Sequence, residues 1–167
     1  MRLIKEQICA NFTPTGAEEP NIMDYDTAIG RYKLALYTTI VKRAKNSEKA
    51  YCCLKIAWLY RGKAENLDEK TKEREQILKA CKEQEEVFYK QAYDGFMKSV
   101  SSEMFPICGM DQNTMDYLLA YMSAHFKRYD IASKCISNIL SSSASNKIKD
   151  KARDLKEQII AELKKGK

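Results

Sequence analysis

The stretch Asp24-Tyr25-Asp26-Thr27-Ala28-Ile29-Gly30-Arg31-Tyr32-Lys33-Leu34-Ala35-Leu36 decides the fold. It holds Tyr-x2-Ala-x3-Tyr-x2-Ala-Leu, in which small and large side chains alternate at helical steps of three and four. The same grammar returns at Tyr129-x2-Ala132-x3-Ile136-x2-Ile139-Leu140, and a fragment of it appears as Tyr89-x2-Ala92. An alanine at such a position lets two helices approach closely, and the large neighbour fills the space beside it. A chain that repeats the pattern buries its apolar faces by stacking one helical pair on the next.

This is the spacing of the second helix of a tetratricopeptide-type repeat, and it predicts an all-α, tetratricopeptide-like antiparallel array of about seven helices. The predicted helices cover residues 1–12, 24–44, 48–62 capped by Ser47, 67–100, 113–126, 129–140, and a last one from a cap at Ser145. No segment alternates with period two. The organisation expected is a single helical domain over 1–167: an N-terminal helix and loop in 1–23, a repeat core in 24–144, and a capping helix in 145–167. The last helix has the cleanest stripe, with Ile148, Ala152, Leu155, Ile159 and Leu163 on one side and lysines on the other.

Composition agrees with that class. Of 167 residues, 44% are hydrophobic, enough for a packed core, while only three prolines and six glycines interrupt the helices. No apolar run approaches the roughly 18 residues that span a bilayer, so no membrane segment is expected. The opening Met1-Arg2-Leu3-Ile4-Lys5-Glu6 meets charge too early for a secretory signal, and a cytoplasmic location follows as the expectation. The net charge of +6 is striped: residues 31–63 carry nine Lys/Arg against Glu48 alone. Such a stripe suits nucleic acid or an acidic partner, but a solvated helical face explains it as well, which makes nucleic acid an unlikely partner.

Chemistry is sparse. There is no phosphate loop, no nucleophile elbow and no H-E-x-x-H. The six cysteines, Cys9, Cys52, Cys53, Cys81, Cys108 and Cys135, contain no Cys-x2-Cys, and His125 is the one histidine. No metal, no cofactor and no catalytic residue are expected, and the thiols read as reduced structural side chains. Cys108, in an Ile-Cys-Gly loop, has nothing nearby in sequence to activate it. Candidates for a partner groove are Tyr117, Tyr121 and His125, which share one helical face, with Tyr51, Lys55 and Arg61 on the earlier helix. Arg61 either binds a carboxylate or caps its helix C-terminus. Trp58 reads as core.

Ala57-Trp58-Leu59-Tyr60-Arg61, with Tyr32-Lys33-Leu34-Ala35-Leu36 before it and Gly109-Met110-Asp111 and Tyr117-Leu118-Leu119 after it, resembles the bacterial domain-of-unknown-function family 2225. The resemblance covers nearly the whole chain. It implies the helical part of that family without the paired Cys-x2-Cys module that its members place ahead of these helices, so that the chain reads as an excised or truncated relative. Where relatives show Gly-Glu-Leu and then paired arginines before a glycine, this chain has Ala120-Tyr121-Met122, Ala124-His125 and Lys127, and no arginine site is carried over. The function expected is a non-enzymatic scaffold for a protein or peptide partner. The alternatives are a nucleic-acid-associated protein using the basic 31–63 stretch, a helical accessory domain of a metal- or redox-linked protein, and an enzyme with an unrecognised helical site.

Overall fold

The computed structural model describes residues 24–166. Six α-helices and no strand occur among the described residues: α1 (Tyr25–Val41), α2 (Asn46–Glu65), α3 (Arg74–Ser102), α4 (Gln112–His125), α5 (Tyr129–Ser141) and α6 (Asn146–Lys165). The helix expected over 1–12 lies outside these residues. The described chain falls into two compact units, 24–102 with α1–α3 and 103–166 with α4–α6.

Helix starts follow local hydrogen-bond chemistry. Asp24 caps α1, its carboxylate accepting the Thr27 amide at 3.0 Å, and Asp111 does the same for α4 through Thr114 at 2.7 Å. The expected cap at Ser47 is corrected. The helix begins at Asn46, because the Glu48 carboxylate reaches back to the Lys45 amide at 3.1 Å and draws the first turn upstream. Ser47 is then inside the helix and buried. The helix expected from 67 starts only at Arg74. Before it, the Asp68 carboxylate accepts the Lys70 amide at 2.9 Å, a local turn that competes with helix formation. Two helices end without glycine: Arg43 and Lys127 take left-handed backbone, at φ 50° and 57°, where glycine is the usual choice.

In the first unit α2 is the middle layer. Lys33 pairs with Tyr60, and Asp26 with Lys63, so α1 and α2 run antiparallel. Cys53 meets Gln91, Arg61 meets Glu85 and Ala50 meets Gly95, giving the same sense for α2 and α3. Every residue from Ala50 to Ala57 is buried. A helix covered all round needs no amphipathic stripe, only side chains that pack. Helix α3 supplies Tyr89, Ala92, Tyr93 and Phe96 to this core, whereas α1 buries only Ile29. In the second unit the three helices all touch one another around Met115, Leu118, Met122, Ile136, Ile139 and Leu155. The Tyr-x2-Ala pair falls on every second helix, α1, α3 and α5, and Ala92 and Ala132 have no exposed surface.

The α2–α3 contact is close enough to exclude a methyl group. A Cβ on Gly95 would stand 2.7 Å from that of Ala50, whereas one on Gly30 would meet nothing within 4 Å. The same substitution therefore has opposite signs at the two sites. Gly30→Ala gains up to about 1 kcal/mol of helix propensity. Gly95→Ala loses stability on balance, because an overpacking cost of about 1–3 kcal/mol outweighs that gain. Urea denaturation midpoints of the two variants provide the check.

Candidate functional site

Helix α4 carries the expected strip of Tyr117, Tyr121 and His125, and the three emerge progressively from the core. Tyr117 is buried at 7% exposure, Tyr121 is half-buried, and His125 is exposed. The imidazole stands edge-on to Phe126, with ring centroids 4.8 Å apart. Burial first, then Tyr121 and Asp154 of α6, hold the Tyr117 phenol above its ordinary pKa and keep it neutral. The accessible part of this strip is therefore its C-terminal end, Tyr121 with His125.

The α2 candidates divide. Tyr51 and Lys55 are together and buried, the ammonium 5.6 Å from the centre of the Tyr51 ring. Arg61 lies further along the same helix, where its guanidinium pairs with Glu85 of α3 and sits 5.9 Å from the Tyr89 ring centre. Of the two roles open to Arg61, the structure shows carboxylate binding, within the chain itself. Trp58 is half-buried. The second unit holds Tyr117, Tyr121 and His125, and the first holds Tyr51, Lys55 and Arg61.

One feature of α4 escaped the sequence reading. Asp116 is half-buried and hydrogen-bonded to Asn138 of α5, and burial pushes its carboxyl up to about 6. Its spacing was the available signal, since Asp116 shares a face with Leu119, Ala120 and Ser123, all buried. Across the contact, burial and then Asp116 push the Cys135 thiol up to about 11.

The other helical thiols are similarly restrained. Cys53 donates to Gln91 at 3.6 Å, and burial, with Cys52 adding, raises it to about 11. Burial likewise raises Cys52 and Cys81. A thiol that keeps its proton at neutral pH is a poor nucleophile and a poor metal ligand. Among the described residues, no three His, Cys, Asp or Glu side chains converge on a point that could hold a metal ion. No helix of the described residues is long and apolar enough to cross a membrane.

The comparison with known families agrees with the Ala57–Arg61 string and its flanking segments. The family described as an uncharacterized protein conserved in bacteria (DUF2225) matches residues 1–159. This chain belongs to that family. No curated protein and no solved structure matches it.

Two measurements check the chemistry of these positions. Asp116 keeps its proton to about pH 6 in the folded chain but releases it near its ordinary 3.8 when unfolded. The folded state thus binds more protons between those values, and stability falls as pH rises through that window. Asp116→Asn removes the fall, so the variant melts above the wild type at pH 7 and the gap closes toward pH 4, as thermal melts across that range show. For the thiols, Cys52, Cys53, Cys81 and Cys135 stay unlabelled by a disulfide reagent in the native chain and react together on unfolding, read by mass spectrometry.

Proposed function

We propose that this DUF2225 chain is a tetratricopeptide-like helical scaffold that binds a protein or peptide segment and catalyses no reaction. The observation that carries the reading is the placement of the Tyr-x2-Ala pair on alternate helices. Full burial of Ala92 and Ala132 is what close packing within helical pairs requires. In this reading α2 with α3 and α4 with α5 are successive pairs, α6 is the terminal cap, and the whole chain works as one scaffold in the cytoplasm.

The binding strip is Tyr121 with His125, an aromatic and an imidazole that offer apolar area with hydrogen-bonding edges. Nucleic acid is the weaker reading, because several cations of the 31–63 stretch are committed inside the chain. Lys55 is buried, Arg61 pairs with Glu85, Lys63 with Asp26, and Lys33 with the Tyr60 hydroxyl.

The test is affinity capture from a bacterium that expresses the chain, with nuclease and moderate salt, read by mass spectrometry. The same protein is recovered reproducibly on the wild type, and about tenfold less of it on Tyr121→Ala or His125→Ala, with helicity unchanged by circular dichroism. Undiminished recovery on both variants removes the strip from the reading. Proteins recovered only when the nuclease is omitted transfer the function to nucleic acid.

A further inference from the structure

Helix α1 leaves most of its apolar surface uncovered. Leu34, Tyr37 and Val41 are 66%, 65% and 63% exposed. With Gly30, which has open space where a side chain would stand, they follow one another at steps of four, three and four. That spacing forms a single seam along the helix, the kind a second helix fills with its own side chains. Ile40, 55% exposed, carries the apolar surface around the helix into a shallow groove of about 290 Å³ between α1, α2 and α3, bordered by Lys49, Lys98 and Asp94, the last paired with Lys90. Ala35, the second alanine of the repeat grammar in this helix, is exposed, whereas Ala92 and Ala132, the alanines of the grammar on α3 and α5, are fully buried.

Charge decides what can lie on this seam. Arg31 and Lys42 are exposed on one flank, three turns or about 16 Å apart, and Arg43 and Lys45 follow at the helix end. Of the acidic side chains on this helix and its cap, Asp26 is paired with Lys63, and Asp24, near enough to Arg31 to interact with it, has both carboxylate oxygens on Thr27. A second copy of α1 laid against this face brings cations onto cations, whereas a helix with carboxylates beside its apolar residues neutralises them.

We propose that the Gly30–Val41 face of α1 is a docking surface for an acidic amphipathic helix of a partner protein. Its apolar residues, spaced three and four apart, pack around Leu34, Tyr37 and Val41, and the helix backbone approaches most closely at Gly30. Its Asp or Glu side chains meet Arg31 and Lys42. This surface belongs to the first unit and stands independently of Tyr121 and His125, so that failure of either leaves the other in place.

The experiment uses the full chain and two labelled synthetic peptides of about three heptads. Both have leucine at alternate steps of three and four, one with glutamate and the other with lysine on the flanks. By fluorescence anisotropy the glutamate peptide binds saturably, and the lysine peptide binds about tenfold more weakly or less. Leu34→Ser with Tyr37→Ser weakens the glutamate peptide about tenfold, and Arg31→Glu with Lys42→Glu inverts the preference between the peptides. All four side chains are exposed, and unchanged circular dichroism confirms that each variant is folded. Equal binding of the two peptides, no saturation by the glutamate peptide, or indifference to the α1 substitutions overturns the proposal. So does a dimer in sedimentation equilibrium that Leu34→Glu dissociates, which assigns the face to a second copy. Binding to phosphatidylglycerol vesicles that Leu34→Ser abolishes, without peptide binding, assigns it to lipid and overturns it equally.

Discussion

The first unit depends on how closely α3 approaches α2. At Gly95 there is no room for a single methyl group beside Ala50, so the two helices meet at backbone distance and their larger side chains interlock on either side. That approach places Tyr89, Ala92, Tyr93 and Phe96 against a helix whose middle two turns are wholly buried. It also brings Gln91 within reach of Cys53 and Glu85 within reach of Arg61, so the polar contacts at the edge of the interface follow from the apolar contact at its centre. Van der Waals contact sets the register, and hydrogen bonds confirm it.

The second unit solves the same packing problem with a polar group inside it. Asp116 and Asn138 join α4 to α5 in a setting where a charged carboxylate is poorly solvated. The neighbouring Cys135 experiences the same environment, and burial shifts both groups toward the forms that carry no charge. Chemistry that needs a thiolate has little support at this contact.

Helix identity was legible because it rests on local periodicity. The Ile148–Leu163 stripe and the Tyr129–Leu140 grammar each map onto a helix at nearly the expected limits. Boundaries moved where a side chain competed for the backbone, as Asp68 and Glu48 do. The candidate site was less legible for a different reason. Spacing places Tyr117, Tyr121 and His125 on one face, but it carries no information about how far along that face the neighbouring helix extends. The burial of Lys55 was hidden similarly, since a lysine between Leu54 and Ile56 looks like the polar side of an amphipathic helix until that helix is found to have no polar side. The repeat grammar, too, records what each helix is built to pack against and not whether that neighbour covers it, as the exposed Ala35 shows.

Helix α1 is fastened unevenly, and that has a dynamic consequence. Its N-terminal half is tied down by Tyr25 against Gly62 and Asn66, by Asp26 to Lys63, and by the single buried side chain, Ile29. Beyond Lys33, Leu34, Tyr37 and Val41 face outward, and no side chain of this half is fully buried, Leu36 being half covered. Opening therefore proceeds as a zipper from Val41 toward Asp24, with hydrogen exchange fastest in the last turns and slowest around Ile29. A strip of α2 is uncovered as the zipper runs, so within the first unit a weakly held helix end lies over the buried α2.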